Sequence, residues 1–140
     1  MFRDLTETST LNLLAKGLGT AALRHKVISN NIANVNTPGF KRQVVSFEDE
    51  MAKVFDGRPE LAGKRTDDRH IPIDNINYMD VTPSVATDRV HVMRNDRNNV
   101  DIDVEMADLS KNTMLYQIES TRLAAMFSDL NDIITRGGRA

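Results

Sequence analysis

The chain of 140 residues contains no cysteine. That excludes disulfides, thiolate metal sites and cysteine nucleophiles together. Tryptophan is absent too, and two tyrosines and five phenylalanines make a poor platform for stacking single-stranded bases. Charge of one sign is lacking: 18 basic residues stand against 20 acidic ones, and no Lys/Arg block exceeds a pair. The electrostatic footprint of a nucleic-acid binder is therefore missing. No apolar run approaches the length that crosses a bilayer. The first residues, Met1 to Leu14, show no basic segment followed by an apolar stretch and a small-residue cleavage site. The expectation is a chain that stays in the cytosol or leaves by a route that does not read a Sec signal. No Walker loop, GxGxxG, HExxH or GxSxG is present.

What is present is concentrated at the two ends. From Thr10 to Asn34 the apolar positions step by three and four, through Leu11, Leu14, Leu18, Ala21, His25, Ile28, Ile32 and Val35, which predicts one amphipathic helix with a heptad seam. Thr37-Pro38-Gly39 stops it, because the residue before proline avoids the helical region and Pro38-Gly39 suits the centre of a type II turn. From Asp103 to Arg136 a second, longer helix is predicted, its seam running Met106, Leu109, Thr113, Tyr116, Ser120, Leu123, Phe127, Leu130, Ile134. Asp101 and Asp103 can cap its start, and Arg136 followed by Gly137-Gly138 ends it. Gly17 and Gly19 each cost the first helix about 1 kcal/mol relative to alanine, which is expected where neighbouring helices approach closely. The second helix is longer than the diameter of a compact globule of this chain length, about 37 Å, so its protruding seam needs a partner.

The stretch 41–99 differs. Short β-like pieces (Gln43–Phe47, Ile71–Ile73, Val90–Val92) stand apart, Pro72 and Pro83 favour edge strands, and Asp56 to His70 is almost without apolar side chains, as in a mobile loop. The expected fold class is mainly α: long terminal helices paired as a coiled-coil-like hairpin, with a small, irregular, β-rich and partly disordered middle insert. The expected division is 1–40 for the first helix and the motif that follows it, 41–99 for the insert and 100–140 for the last helix.

Candidate chemistry is thin. The histidines, His25, His70 and His91, are scattered, and His25, in the apolar seam, has no second histidine or carboxylate at helical ligand spacing beside it. The acidic run Asp96 to Glu105 fails as an EF-hand loop: counted from Asp96 its fifth position is Val100, and counted from Asp101 its sixth is Met106 where glycine is required. Helix capping explains those acids. Asp67-Asp68 and Glu48-Asp49-Glu50 fit a solvated face better than acid–base work. No catalytic, metal or cofactor residue is assigned, and no cofactor or small-molecule substrate is expected.

The most specific segment is Ser29-Asn30-Asn31-Ile32-Ala33-Asn34-Val35-Asn36-Thr37-Pro38-Gly39-Phe40-Lys41-Arg42. Asparagines around a helix end can satisfy backbone groups the helix leaves open, and Phe40 returns to the apolar seam after the turn. This run closely resembles the signature of the flagellar axial family of rod, hook and hook-associated proteins. A second match, Asn99-Val100-Asp101-Ile102-Asp103-Val104-Glu105-Met106 followed by Asn112 and Tyr116-Gln117, is similar to the start of the C-terminal helix in FlgB-type rod proteins. Arg97 departs from that pattern, standing where relatives often carry glycine. FlgC-type rod proteins, of similar size, are the nearest alternative. A secreted helical-hairpin effector or adaptor would share the seams but not the SNNIAN–TPGF run, and an enzyme would need a pocket the sequence does not advertise.

The resemblance implies a structural, non-enzymatic subunit of the flagellar rod, exported by the flagellar type III apparatus without a cleaved signal and polymerising through its terminal helices. The implied partners are copies of itself, FlgC- and FlgF-type rod subunits and a FliE-type ring–rod junction protein, with no nucleic acid. The implied assembly residues are Ser29, Asn30, Asn31, Ile32, Ala33, Asn34, Thr37, Pro38, Gly39 and Phe40, with the seams of the two helices.

Overall fold

A computed structural model describes residues 9–55, 79–90 and 94–137. In chain order these form α1 (Ser9–Ala33), β1 (Gln43–Ser46), α2 (Glu48–Phe55), β2 (Ser84–Thr87) and α3 (Ile102–Gly137). The structure is mainly helical, and both terminal helices lie within a residue of their predicted limits. At 1.5 Å per residue, the 25 residues of α1 span about 37 Å and the 36 residues of α3 about 54 Å.

Local chemistry accounts for the ends of these helices. α1 stops at Ala33, and the chain turns twice, with Thr37 N donating to Asn34 O and Phe40 N to Thr37 O. Gly39 occupies the second turn at φ +73°, a conformation that glycine adopts without a Cβ penalty. Asp101 caps α3: its carboxylate accepts from Asp103 N at 2.9 Å, and its carbonyl accepts from Glu105 N at 3.0 Å.

α1 and α3 run antiparallel, since Gly17 lies against Glu119, Ala21 against Asn112 and Asn31 against Glu105. On α1 the buried side chains are Thr20, Ala21, Val27, Ile28 and Asn31. Leu11, Leu14 and Leu18 are half-buried, whereas His25, expected in the seam, is exposed. On α3 the face turned to α1 carries Glu105 and Asn112, both buried, then Glu119, Leu123 and Met126, half-buried. Leu109 and Leu130 of the expected stripe are half-buried as well. Met106, Tyr116, Phe127 and Ile134 lie 46 to 55% exposed. The stripe that contacts α1 is rotated from the apolar one because its seven-residue repeat is polar: Glu105, Asn112, Glu119.

A smaller core lies beside α1, where Phe47, Met51 and Val81 are buried and Leu13 and Val54 pack on them. β1 and β2 pair antiparallel, with Val44 opposite Ala86, and Pro83 immediately precedes β2, as suits an edge strand. α2 is an element the sequence reading did not anticipate. Its acids Glu48, Asp49 and Glu50 fall in the first turn, where the helix dipole favours them. Lys16 Nζ donates to Met79 O at 2.6 Å and Val81 O at 2.7 Å, tying the segment before β2 to α1. The expected loop 56–70 and the strand at 71–73 lie outside the described residues, as do His91 and Val92. The glycines of α1 also differ from expectation. A Cβ on Gly17 would meet the Glu119 carboxylate at 2.7 Å, but one on Gly19 would meet nothing within 4 Å, so only Gly17 serves an interhelical contact.

Candidate assembly junction

The segment after α1 and the segment before α3 are bound by side-chain amides. Asn31 is wholly buried. Its Nδ2 donates to Gln43 O at 2.8 Å and its Oδ1 accepts from Gln43 N at 3.0 Å, so one side chain pairs with the start of β1 as a neighbouring strand would. The same Nδ2 reaches Glu105 Oε2 at 3.1 Å. Glu105, also wholly buried, accepts from Arg42 Nε at 2.5 Å through its other oxygen, while Arg42 Nη2 donates to Asp108 Oδ2 at 3.0 Å. Burial works against the Arg42 charge, yet hydrogen bonding and attraction from Glu105, then Asp108, hold its pKa above the ordinary value. A buried charge with both oxygens engaged is the arrangement that tolerates desolvation.

Two further asparagines complete the junction. Asn98 Nδ2 lies within hydrogen-bond distance of three carbonyls, Asn34 O at 3.0 Å, Val35 O at 3.1 Å and Thr37 O at 2.9 Å, and its Oδ1 accepts from Val100 N at 2.8 Å. These carbonyls follow the end of α1, where the chain has no helical partner to offer them. Asn99 Oδ1 accepts from Arg42 N at 2.7 Å and its Nδ2 donates to Asp88 O at 2.9 Å, closing the open end of the hairpin. Gly39 N donates to Asp96 O at 2.9 Å. Arg97 takes φ +66°, so the position where glycine was anticipated keeps the left-handed geometry with a side chain that disfavours it.

The motif residues divide accordingly. Asn31 points inward, Ile32, Asn34 and Phe40 are half-buried, and Ser29, Asn30, Ala33, Thr37, Pro38 and Gly39 are exposed. Arg42, Asn99 and Glu105 appeared in the sequence as members of the matched runs and Asn98 only inside the acidic run, and their pairing across 57 to 74 residues had no local signal. Further along the pair, Glu119 sits over Gly17 with Oε2 buried and without a hydrogen-bond partner among the described residues. Burial raises its pKa, repulsion from Glu48 adds to the rise, and Arg24 partly offsets it. Arg24 itself grips Glu48, both carboxylate oxygens lying 2.7 Å from Nη2. Glu48 is held below the ordinary carboxylate value: its partial burial opposes this, but the Arg24 hydrogen bond and charge, together with hydrogen bonds to the Glu48 and Phe47 backbone, outweigh it.

Among the described residues no group of three or more His, Asp or Glu is placed to hold a metal ion, and no helix is long and apolar enough to cross a membrane. What the surface does offer is apolar: Met106, Met114, Leu115, Tyr116, Ile118, Phe127, Ile133 and Ile134 are all 46 to 63% exposed on α3. A helix that buries polar groups against its neighbour and shows apolar ones outward is built to be covered.

The family described as flagella basal body rod protein matches residues 11–41, the seam of α1 together with the asparagine motif and its turn. The chain is thus of the flagellar rod class. FlgB of Borreliella burgdorferi is 38% identical, the match covering 84% of this chain and 89% of that protein. FlgB of Bacillus subtilis is 32% identical over 93% of this chain and 96% of its own length, and FlgB of Salmonella typhimurium 28% over 92% and 95%. The chain belongs to the FlgB family of flagellar basal body rod proteins.

Proposed function

We propose that this chain is a structural subunit of the proximal rod of the flagellar basal body, polymerising through its terminal helices as part of the drive shaft that motility requires. The observation that carries the reading is the set of apolar side chains left exposed along α3, from Met106 to Ile134, after α1 has packed against it. Burial of such side chains contributes about 25 cal/mol per Å², and only association supplies that burial. The asparagine junction gives the subunit a rigid connection between helix pair and hairpin, as a torque-bearing element needs, and the exposed motif residues Ser29, Asn30, Thr37 and Pro38 form the surface around it. The role is mechanical rather than catalytic.

Family membership implies assembly with other rod components. The specific partners we infer are further copies of the chain, FlgC- and FlgF-type rod subunits and a FliE-type junction protein. Delivery runs through the flagellar type III export apparatus without a cleaved signal. Deletion of the gene tests the reading. The deletion strain is expected to be non-motile, with basal bodies stalled at the membrane ring, and complementation restores the rod. Complete rods in the deletion strain would exclude the role.

A further inference from the structure

One cation stands between two carboxylates where α1, α2 and α3 meet. Arg24 lies one seven-residue step from both Gly17 and Asn31, and so on the stripe of α1 that meets α3. Its guanidinium nevertheless serves α2: Nη2 sits 2.7 Å from each oxygen of Glu48. That pair is held near the surface, the Glu48 side chain being 64% exposed and that of Arg24 20%. Glu119 of α3 has burial without a partner. Its carboxylate is seated against Gly17, where a Cβ would meet it at 2.7 Å, and Oε2 is enclosed without a hydrogen-bond partner among the described residues. The charge of Arg24 is close enough to attract Glu119, and that of Glu48 to repel it.

Enclosure decides what can compensate Glu119. No group from outside the molecule reaches Oε2, so a donor must come from within the fold. With Gly17 opposite Glu119, Arg24 stands about 10 Å along the helix axis from that level, two turns of α1. Side chains of a helix tilt toward its N-terminus, and α1 and α3 run antiparallel. Arg24 therefore leans toward the level of Glu119 and Glu119 toward that of Arg24, each closing the gap to the other. Lys16, next to Gly17, is already committed to Met79 O and Val81 O.

We propose that Arg24 is a latch shared between the insert and the helix pair. Held by Glu48, it fixes α2 and leaves Glu119 unpaired over Gly17, so the α1–α3 seam is loose there. Released by α2, it turns to Glu119, which lifts from its seat to meet it, and the seam tightens. With Nη2 on Glu48, no hydrogen bond joins Arg24 to Glu119, so the two pairings are alternatives. Docking of α2 and tightness of the helix pair thus oppose one another, and by linkage the opposition runs both ways. A neighbour that draws α2 away stiffens the helix pair, and one that stiffens the helix pair frees α2. The latch is a property of the single chain and holds whatever the chain assembles into.

Amide hydrogen exchange on the purified full chain at neutral pH tests it. Glu48→Gln, a change at an exposed side chain, lets Arg24 go. The expected result is exchange slowed at least about fivefold in residues 17–22 and quickened in residues 51–55. The slowing should vanish when Glu119→Gln is added, which removes the second carboxylate, and when Arg24→Gln is added, which removes the latch. Unchanged or quickened exchange in residues 17–22 would make the Arg24–Glu48 pair an ordinary tie and overturn the latch. A slowing that persists with Arg24→Gln would be plain relief of repulsion between Glu48 and Glu119, and overturns it equally. Should Arg24→Gln fail to fold, Arg24 itself is read by NMR in the Glu48→Gln chain. Contacts of its guanidinium protons with the Glu119 side chain are expected there, and a guanidinium left in solvent overturns the latch.

Discussion

The two ends of the α1–α3 pair solve the same problem differently. At the junction end, Asn31, Arg42, Asn98, Asn99 and Glu105 bury their polar groups against one another and against backbone. Further along the pair Asn112 and Glu119 each keep a buried oxygen without a hydrogen-bond partner among the described residues, and α3 continues with Phe127, Ile133 and Ile134 exposed. A satisfied polar network specifies one geometry and resists change. A seam with unpaired acceptors and uncovered apolar residues is lower in stability and completed by association. The subunit therefore brings a finished corner and an unfinished shaft to its assembly.

The largest effect is expected at the finished corner. Glu105→Ala strands the Arg42 guanidinium and removes an acceptor from Asn31, and is expected to cost about 3 kcal/mol; urea unfolding of the purified chain reads it. A change below about 1 kcal/mol would mean the corner adds no rigidity. Asn98→Ala comes next, at about 2 kcal/mol, because carbonyls after α1 lose their shared donor. Its signature is local: amide exchange should quicken across residues 34–40 before the rest of α1 responds.

At the unfinished end the sign reverses. Glu119 has a folded-state pKa above the ordinary glutamate value of 4.5, so its neutral form suits the folded state better. Stability from this group is fully present below the unfolded pKa and is lost as pH rises from 4.5 through the raised value. Glu119→Gln is expected to stabilise the chain at neutral pH and to flatten melting temperature against pH in that window. An unchanged profile would place the carboxylate in solvent and undo the comparison. The smallest effect separates the glycines. Gly19→Ala, with open space around its Cβ, should gain about 1 kcal/mol, measured as helicity and melting temperature. Gly17→Ala should gain less, since the Glu119 side chain must move aside first.

Much of the fold was legible because it is local. Heptad spacing, the Asp101 cap and the Thr37-Pro38-Gly39 turn are written in residues a few positions apart, and they bounded α1 and α3 to within a residue. α2 was overlooked because Glu48, Asp49 and Glu50 read as a solvated face, although acids opening a short apolar repeat at Met51 and Val54 were a usable signal. The asparagine motif announced its importance without its mechanism, since the acceptors of the Asn31 and Asn98 amide groups lie 12 to 74 residues away.

By itself, the sequence determined that this protein has two long helices, no chemistry of cysteine or clustered histidine, and a junction motif shared with its family. Which stripe of α3 meets α1 was decided only in three dimensions. Periodicity reports that a helix has an apolar face, but not whether that face is spent within the chain or kept for a neighbour. Here the buried contacts of Asn31 with Glu105 and of Ala21 with Asn112 draw the polar repeat inward, and Met106, Tyr116, Phe127 and Ile134 of the apolar repeat are left outside for assembly.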